Sequence, residues 1–267
     1  MKVFITGASS GIGEALVFEY ARRYQNSGTI IGIVARRSEH LQNIQSTLHN
    51  IYNIQCTIYP LDVRDGSALS TAAADFIQHY GAPNIVIACA GVSRGTLTEH
   101  AEDIVAFQAV MDINVMGLVH TFQPFIEVMR IAAKQGERAQ LVGIGSVAGI
   151  RGLPGAGAYS ASKAAAISYL ESLRVEMATY NIAVTTIAPG YIRTPMTDIN
   201  HYKMPFLMDA KVAAAKFVNA IEHKRRFVVI PWQMGWLARF MRFVPPFLWD
   251  FVMKKAPHKK RLDWDWL

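Results

Sequence analysis

The amino terminus fixes the first unit of the fold. Residues 2–6 (Lys-Val-Phe-Ile-Thr) form a short β-rich run, Gly7-Ala8-Ser9-Ser10-Gly11-Ile12-Gly13 follows at once, and Leu16, Val17, Phe18 and Tyr20 begin an amphipathic helical pattern. Strand, glycine turn and helix in that order leave few architectures open. Glycines permit a tight turn and let backbone N–H groups approach a phosphate, while the positive end of the following helix faces a pyrophosphate. The stretch therefore reads as a dinucleotide loop, with Gly7, Ser9, Ser10, Gly11, Ile12 and Gly13 as its contact residues. Its spacing, Gly7-x-x-x-Gly11-x-Gly13, departs from the Gly-x-Gly-x-x-Gly pattern.

Strand-like runs recur at 29–34, 54–59, 84–90, 139–145, 182–187 and 227–230. Helical patterns near 38–49, 66–80, 101–134, 157–180 and 209–222 separate them. This alternation predicts an α/β fold: a doubly wound parallel sheet of the Rossmann type, about seven strands, with helices on both faces. With 267 residues, 51% of them hydrophobic, the chain can bury one large core. One domain over 1–230 and an extension over 231–267 are expected. Residues 1–3 lead straight into the first strand without a secretory pattern, so a cytoplasmic location is the expectation. Cys56 and Cys89 fall within apolar runs, which suggests buried thiols and neither disulfide nor metal chemistry.

Open sheets of this kind bind ligands outside the carboxyl ends of their strands. The second strand ends in Ala35-Arg36-Arg37, where folds that prefer NAD usually place an acidic residue on the ribose 2′-hydroxyl. A guanidinium there can pair with a 2′-phosphate, so Arg36 and Arg37 predict NADP(H); the plainer reading is that both merely solvate a strand end. Asp62-Val63 after the third strand, and Ala90-Gly91 at the end of the fourth, are plausible adenine and ribose neighbours. Asp62 could equally cap a helix.

A second constellation lies further on. Residues 139–145 read as a buried strand that ends at Ser146, a glycine-rich bend follows, and Tyr159-Ser160-Ala161-Ser162-Lys163 opens an alanine-rich helix. Tyr159 and Lys163, four residues apart, share one helix face, so an ammonium stands beside a phenol. A cation favours the phenolate and would bring the tyrosine toward proton exchange near neutral pH. Such a pair alone is commonly an ordinary solvated one, and its place after a strand ending in serine gives it weight. Asn114 sits inside the 101–134 pattern despite modest helix propensity, and a buried carboxamide needs a partner or a task.

Taken together, these residues resemble the short-chain dehydrogenase/reductase family in its single-domain form, over about residues 1–230. Thr6 through Gly13 is similar to that family's cofactor loop, and Asn114, Ser146, Tyr159 and Lys163 are similar to its catalytic tetrad in order and spacing. The resemblance implies carbonyl reduction or alcohol oxidation with hydride from a nicotinamide. Tyr159 would be general acid or base and would also contact the cofactor, Ser146 would polarise the substrate oxygen, Lys163 would lower the Tyr159 pKa and bind ribose, and Asn114 would hold a water. Pro189, Gly190, Ile192 and Thr194 resemble the segment that meets the nicotinamide end, and the irregular stretch up to about Phe206 could form a lid. Ala88-Cys89 stands where the family often has two asparagines. A homo-oligomer through the long central helices is implied as well.

The charge is unevenly placed. Residues 223–267 hold 10 Lys and Arg against 3 Asp and Glu, which accounts for the whole net charge of +7, and they hold all five tryptophans. At 100° per residue, Trp236, Leu237, Phe240, Met241, Phe243 and Val244 share one broad sector, with Arg239 and Arg242 outside it: an amphipathic helix over 232–244, stopped by Pro245-Pro246. The stretch is too short and too charged to span a bilayer. An anionic membrane surface fits it, and so does packing over the substrate pocket or another subunit. Either arrangement favours a lipophilic substrate. No nucleic-acid partner is expected, because the apolar residues gather on one face instead of interleaving with the basic ones. Beside the enzyme reading stands a catalytically quiet NADP(H)-binding redox sensor acting through a partner.

Overall fold

In a computed structural model, residues 1–200, 202–254, 259 and 261 are described. Seven strands form one sheet: β1 (Lys2–Thr6), β2 (Ile30–Ala35), β3 (Gln55–Pro60), β4 (Ile85–Ala88), β5 (Gln140–Ile144), β6 (Ala183–Pro189) and β9 (Phe227–Ile230). A two-residue pair, β7 (Ile192–Arg193) with β8 (Met208–Asp209), lies apart from it. The order is β3-β2-β1-β4-β5-β6-β9, with every pairing parallel. The chain therefore winds outward from β1 in one direction, returns to β4 and winds outward in the other. Between β1 and β4, in register at Val3 and Ile85, is the topological switch point where such sheets open a crevice.

Alternation along β1 shows how the sheet serves two cores. Val3 and Ile5 point to the layer that holds Leu16, Leu41 and Phe217, from α1 (Gly11–Tyr24), α2 (Ser38–Tyr52) and α9 (Ala210–Glu222). Phe4 points the other way, into Phe76 of α3 (Gly66–Tyr80), Phe125 and Leu170. These side chains are fully buried, each contributing about 1.5–3 kcal/mol relative to exposure.

The helical pattern expected over 101–134 is not one regular helix. It runs as α4 (Asp103–Met111), a π turn (Asp112–Met116), α5 (Gly117–Phe122), a 3-10 turn (Gln123–Phe125) and α6 (Ile126–Lys134). Pro124 lacks the N–H that a regular helix would need there. By length and apolarity Asp103–Lys134 could cross a membrane, yet Ala106, Val110, Phe122, Phe125 and Met129 are buried in the protein. It is a core helix.

The second long helix, α7 (Gly157–Ala178), lies against β6, and a four-residue α8 (Pro195–Asp198) follows β7. Beyond β9, α10 (Trp232–Phe243) and α11 (Pro246–Met253) end the helical part, divided at Pro245-Pro246 as the sequence predicts. Lys255, Lys260, Trp264 and Trp266 lie outside the described residues.

Candidate active site

The glycine turn is built by close approach. Gly7 has φ +72°, and a Cβ placed on it would stand 2.6 Å from the Ala90 backbone, while one on Gly13 would stand 2.1 Å from the Gly7 carbonyl oxygen. Neither position accepts a side chain. The turn thereby lies flush against the end of β4 at the switch point. Ser10 precedes α1 in extended conformation with no side-chain cap, so the first-turn N–H groups of that helix are left for an anionic ligand.

A cleft of about 310 Å³ opens there. It is lined by Gly7, Ser9, Ser10, Ile12 and Gly13, by Arg36 and Arg37, by Asp62 and Val63, and by Ala90, Gly91 and Thr194. Those are twelve of the residues named from sequence, drawn from the ends of β1, β2, β3, β4 and β7. Gly11 adjoins the cleft through Thr194, whose Cγ2 would lie 3.2 Å from a Cβ on Gly11. Three others sit elsewhere: Pro189 is the last residue of β6, Gly190 packs under Met234 of α10, and Ile192 is buried in the core.

The arginines differ in their engagement. Arg37 donates through Nη2 to the Ser9 carbonyl (3.1 Å) and hydroxyl (3.0 Å), tying the end of β2 to the glycine turn. Arg36 stays half exposed, its Nη1 3.7 Å from Asp62 Oδ2. Asp62 does not cap a helix; Asp65 does, accepting from Ala68 N at 2.9 Å. Instead Asp62 accepts from Arg64 Nη2 at 2.8 Å, from its Nε at 3.1 Å and from its backbone N at 2.9 Å. Burial alone would raise the Asp62 pKa, but the Arg64 bonds, with the Arg64 and Arg36 charges, hold it below the usual carboxylate range. Arg64 was not singled out from sequence, although its place directly after Asp62-Val63 was the available signal.

Ser146 follows β5 in extended conformation and accepts from Ala148 N at 3.1 Å, starting a 3-10 turn over Val147–Gly149. That turn is pressed against α7, since a Cβ on Gly149 would lie 2.6 Å from the Lys163 backbone. Ser146 thereby meets Tyr159 on the first turn of α7, close enough for its hydroxyl to act on the phenol. Burial raises the Tyr159 pKa and the nearby Ser146 hydroxyl only partly offsets it. The net shift runs opposite to the lowering expected from Lys163, because the phenol loses more hydration than its neighbours return. Tyr202 stands close enough for the Tyr159 charge to act on it and packs edge-to-face on Tyr191 at 6.3 Å, so Tyr202 reaches the site.

Lys163 is buried, with Nζ donating to the Ile144 carbonyl at 2.8 Å and lying 5.9 Å from the centre of the Tyr159 ring. Burial depresses its pKa to about 8, weakly opposed by Cys89. The sign matters for stability. Between about pH 8 and 10.5 the unfolded chain holds this proton and the folded one does not, so the group's contribution rises with pH and is most unfavourable below pH 8. Between pH 7 and 10 the wild type is expected to gain about 2–3 kcal/mol relative to Lys163→Met. Denaturant melts of both proteins across that range measure it, and parallel curves would contradict the depressed pKa.

Asn114 occupies the π turn, a feature frequent at functional sites. Its Nδ2 donates to the Val92 carbonyl and to Ser162 Oγ, both at 2.9 Å, and its Oδ1 accepts from Val92 N at 2.8 Å. Ser162 in turn donates to the Tyr159 carbonyl at 2.8 Å. A chain of contacts thus joins the Gly91-Val92 bend to the helix bearing Tyr159 and Lys163. Ser162 was another residue that sequence reasoning passed over.

Both cysteines are free thiols whose pKa burial pushes up to about 12. Among the described residues, no group of three or more His, Cys, Asp or Glu is placed to hold a metal ion.

Comparison with known proteins agrees with this geometry. A family model described as short chain dehydrogenase matches residues 1–203. An uncharacterized oxidoreductase of Myxococcus xanthus is 32% identical over 253 residues, covering 94% of this chain and 95% of that protein. An 11-beta-hydroxysteroid dehydrogenase-like 2 protein of Arabidopsis thaliana is 31% identical over 269 residues, 97% of this chain and 84% of the other. Among solved structures, a short-chain dehydrogenase of Sphingobium yanoikuyae in complex with NADPH superposes with a TM-score of 0.75 at 21% identity, covering 98% of both chains. One from Burkholderia phymatum in complex with NAD gives 0.77 at 22%, over 98% of this chain and 97% of that one. With a family model over most of its length and relatives above 30% identity across nearly all of it, the chain belongs to the short-chain dehydrogenase family of oxidoreductases.

Proposed function

We propose that this protein is an NADP(H)-dependent oxidoreductase that interconverts a ketone and a secondary alcohol on a bulky apolar substrate. The observation that carries the reading is the meeting of Ser146, at the end of β5, with Tyr159 on α7, the Lys163 ammonium lying 5.9 Å from the centre of that ring. Two hydroxyls converge there, and the dinucleotide cleft opens at the neighbouring strand ends.

The cradle fits a dinucleotide by its own features: a turn too close for side chains, an uncapped helix start, and arginines at the end of β2. When bound, the nicotinamide supplies or accepts the hydride. The chain's part is orientation and a proton. Ser146 donates to the substrate oxygen and holds it beside Tyr159, whose raised pKa keeps the phenol protonated at neutral pH, ready to act as general acid in reduction. Lys163, fixed on the Ile144 carbonyl, lies beside Gly91 where a ribose would pass.

For NADP(H), the support is the pair Arg36 and Arg37 at the cleft, with Arg64 neutralising the carboxylate that would otherwise repel a 2′-phosphate. Relatives leave the choice open, since one solved structure carries NADPH and another NAD. Arg36→Asp is expected to lower kcat/KM for NADPH relative to NADH by at least about tenfold, in keeping with a charge-assisted bond of about 1.5–3 kcal/mol. An unchanged ratio would remove Arg36 from the assignment.

The aromatic pair Tyr191 and Tyr202 beside Tyr159 supports an apolar substrate, as does the relative named for hydroxysteroids. Exposed Ile104, Val105, Met116 and Ile131 along the long helix, with Val175 on α7, support a homo-oligomer joined across these helices, for which mass in solution is the test. The deciding experiment follows NADPH and NADH oxidation by the purified protein against ketones graded in size and apolarity. Turnover that favours small polar ketones would defeat the substrate class. Tight NADPH binding with no turnover of any ketone would favour the sensor reading.

A further inference from the structure

The two carboxyl-terminal helices turn most of their large apolar side chains outward, Trp249 excepted. In α10 the body takes Met234 and Ala238, at 3% and 1% exposure, while Trp232, Trp236, Phe240 and Phe243 stand between 65% and 83% exposed. Positions 232, 236, 240 and 243 fall within about 80° of arc at 100° per residue, so the exposed residues form one stripe. In α11 the pattern repeats, with Phe247, Leu248, Phe251 and Val252 exposed. Packing over the substrate pocket, one arrangement open at the sequence level, is thus not what α10 does with its aromatic face.

Basic groups flank the stripe. The Arg239 guanidinium lies 5.5 Å from the centre of the Trp236 ring, and Arg242 and Lys254 are exposed on the same helices. Of the ten basic side chains in 223–267, Lys259 is engaged with Ser93 and Arg261 with Glu102 and Asp103, so the charge beside the stripe is that of Arg239, Arg242 and Lys254. Neither helix can span a bilayer: at about 1.5 Å per residue they reach about 18 and 12 Å against a hydrocarbon core of about 30 Å.

The helices are also held firmly. Arg151, on the loop that follows Ser146, donates through Nη1 to the carbonyls of Met241 and Val244, each at 2.7 Å, and its guanidinium stacks over Trp249 at 4.7 Å. The end of α10 and the start of α11 are thereby clamped to the loop that carries the candidate site.

From these observations we infer that α10 and α11 form a docking surface for an anionic lipid bilayer, lying in its interface, with Arg151 fixing the active-site loop to the docked helices. Aromatic side chains at the headgroup level and basic flanks are the chemistry such a surface recognises. A second copy of the chain is the poorer occupant. A two-fold contact through this face would bring the same Arg239, Arg242 and Lys254 against themselves. The inference stands apart from the proposed reaction, because its readout needs no turnover.

The full-length protein is sedimented with vesicles of phosphatidylcholine containing phosphatidylglycerol, with pure phosphatidylcholine vesicles beside them, at low and high salt. Binding is expected to require the anionic lipid and to weaken with salt. Trp236→Ser with Phe240→Ser and Phe243→Ser should weaken it at least tenfold, leaving turnover of a water-soluble ketone unchanged. Arg239→Glu with Arg242→Glu should weaken it by at least about tenfold, at about fivefold per basic group. No binding to anionic vesicles at low salt, or binding that survives both sets of substitutions, would overturn the inference. So would a fall in solution mass of the serine variant without any vesicle binding by the parent, which would assign the face to a second copy.

Discussion

Tyr159→Phe is expected to lower kcat for ketone reduction by about 10²–10⁴, the usual contribution of a positioned general acid. The phenylalanine keeps the ring and the start of α7 and removes only the hydroxyl that meets Ser146. NADPH affinity should stay within a few fold, because the cleft is lined by the glycine turn and the ends of β2, β3 and β4, with no contribution from that ring. Single-turnover kinetics with saturating NADPH separates the two effects. Turnover within tenfold of the parent would take the proton-transfer role away from Tyr159. A matching loss of coenzyme binding would mean that the substitution had disturbed the fold around α7 instead of removing a proton donor.

That such a test can be named at all reflects how much of the site was written in the chain. The strand, glycine turn and helix at the amino terminus could be read because the constraint there is backbone geometry, which admits very few residues. Gly13 against the Gly7 carbonyl is a contact that leaves no choice. Alternating strands and helices gave the parallel sheet, since only crossover connections join parallel neighbours. What stayed hidden depended on distance in space. The raised pKa of Tyr159 could not be read from a Tyr-x-x-x-Lys spacing, because it comes from burial that only the folded layers produce. Arg151 carries no local signal in its glycine-rich bend, because the carbonyls it holds, those of Met241 and Val244, lie 90 and 93 residues away. The 101–134 pattern hid its π turn because hydrophobic periodicity reports which side faces the core and says little about one extra residue in a turn. The misfit of Asn114 was the signal, and the structure shows what the misfit is for.

Asn114→Ala is accordingly expected to destabilise the protein as well as its chemistry. The carboxamide spends both of its Nδ2 hydrogens, on the Val92 carbonyl and Ser162, and takes the Val92 N–H on Oδ1, so one Oδ1 lone pair is left for a water. Alanine leaves the Val92 N–H and C=O without partners in a half-buried bend. At about 1–3 kcal/mol for each group left unpaired, the cost is about 2–6 kcal/mol. At roughly 2–4 °C per kcal/mol for a domain near this size, Tm should fall by about 4–24 °C. Calorimetry reads that directly, and a change under about 1 °C would show that the side chain braces nothing. The bend it braces places Gly91 beside Lys163, a Cβ on that glycine standing 3.4 Å from Nζ. Loosening it should therefore raise KM for the coenzyme even at temperatures where the variant is fully folded. A variant that lost kcat alone, with Tm and coenzyme KM intact, would place Asn114 in the proton path and not in the frame that holds it.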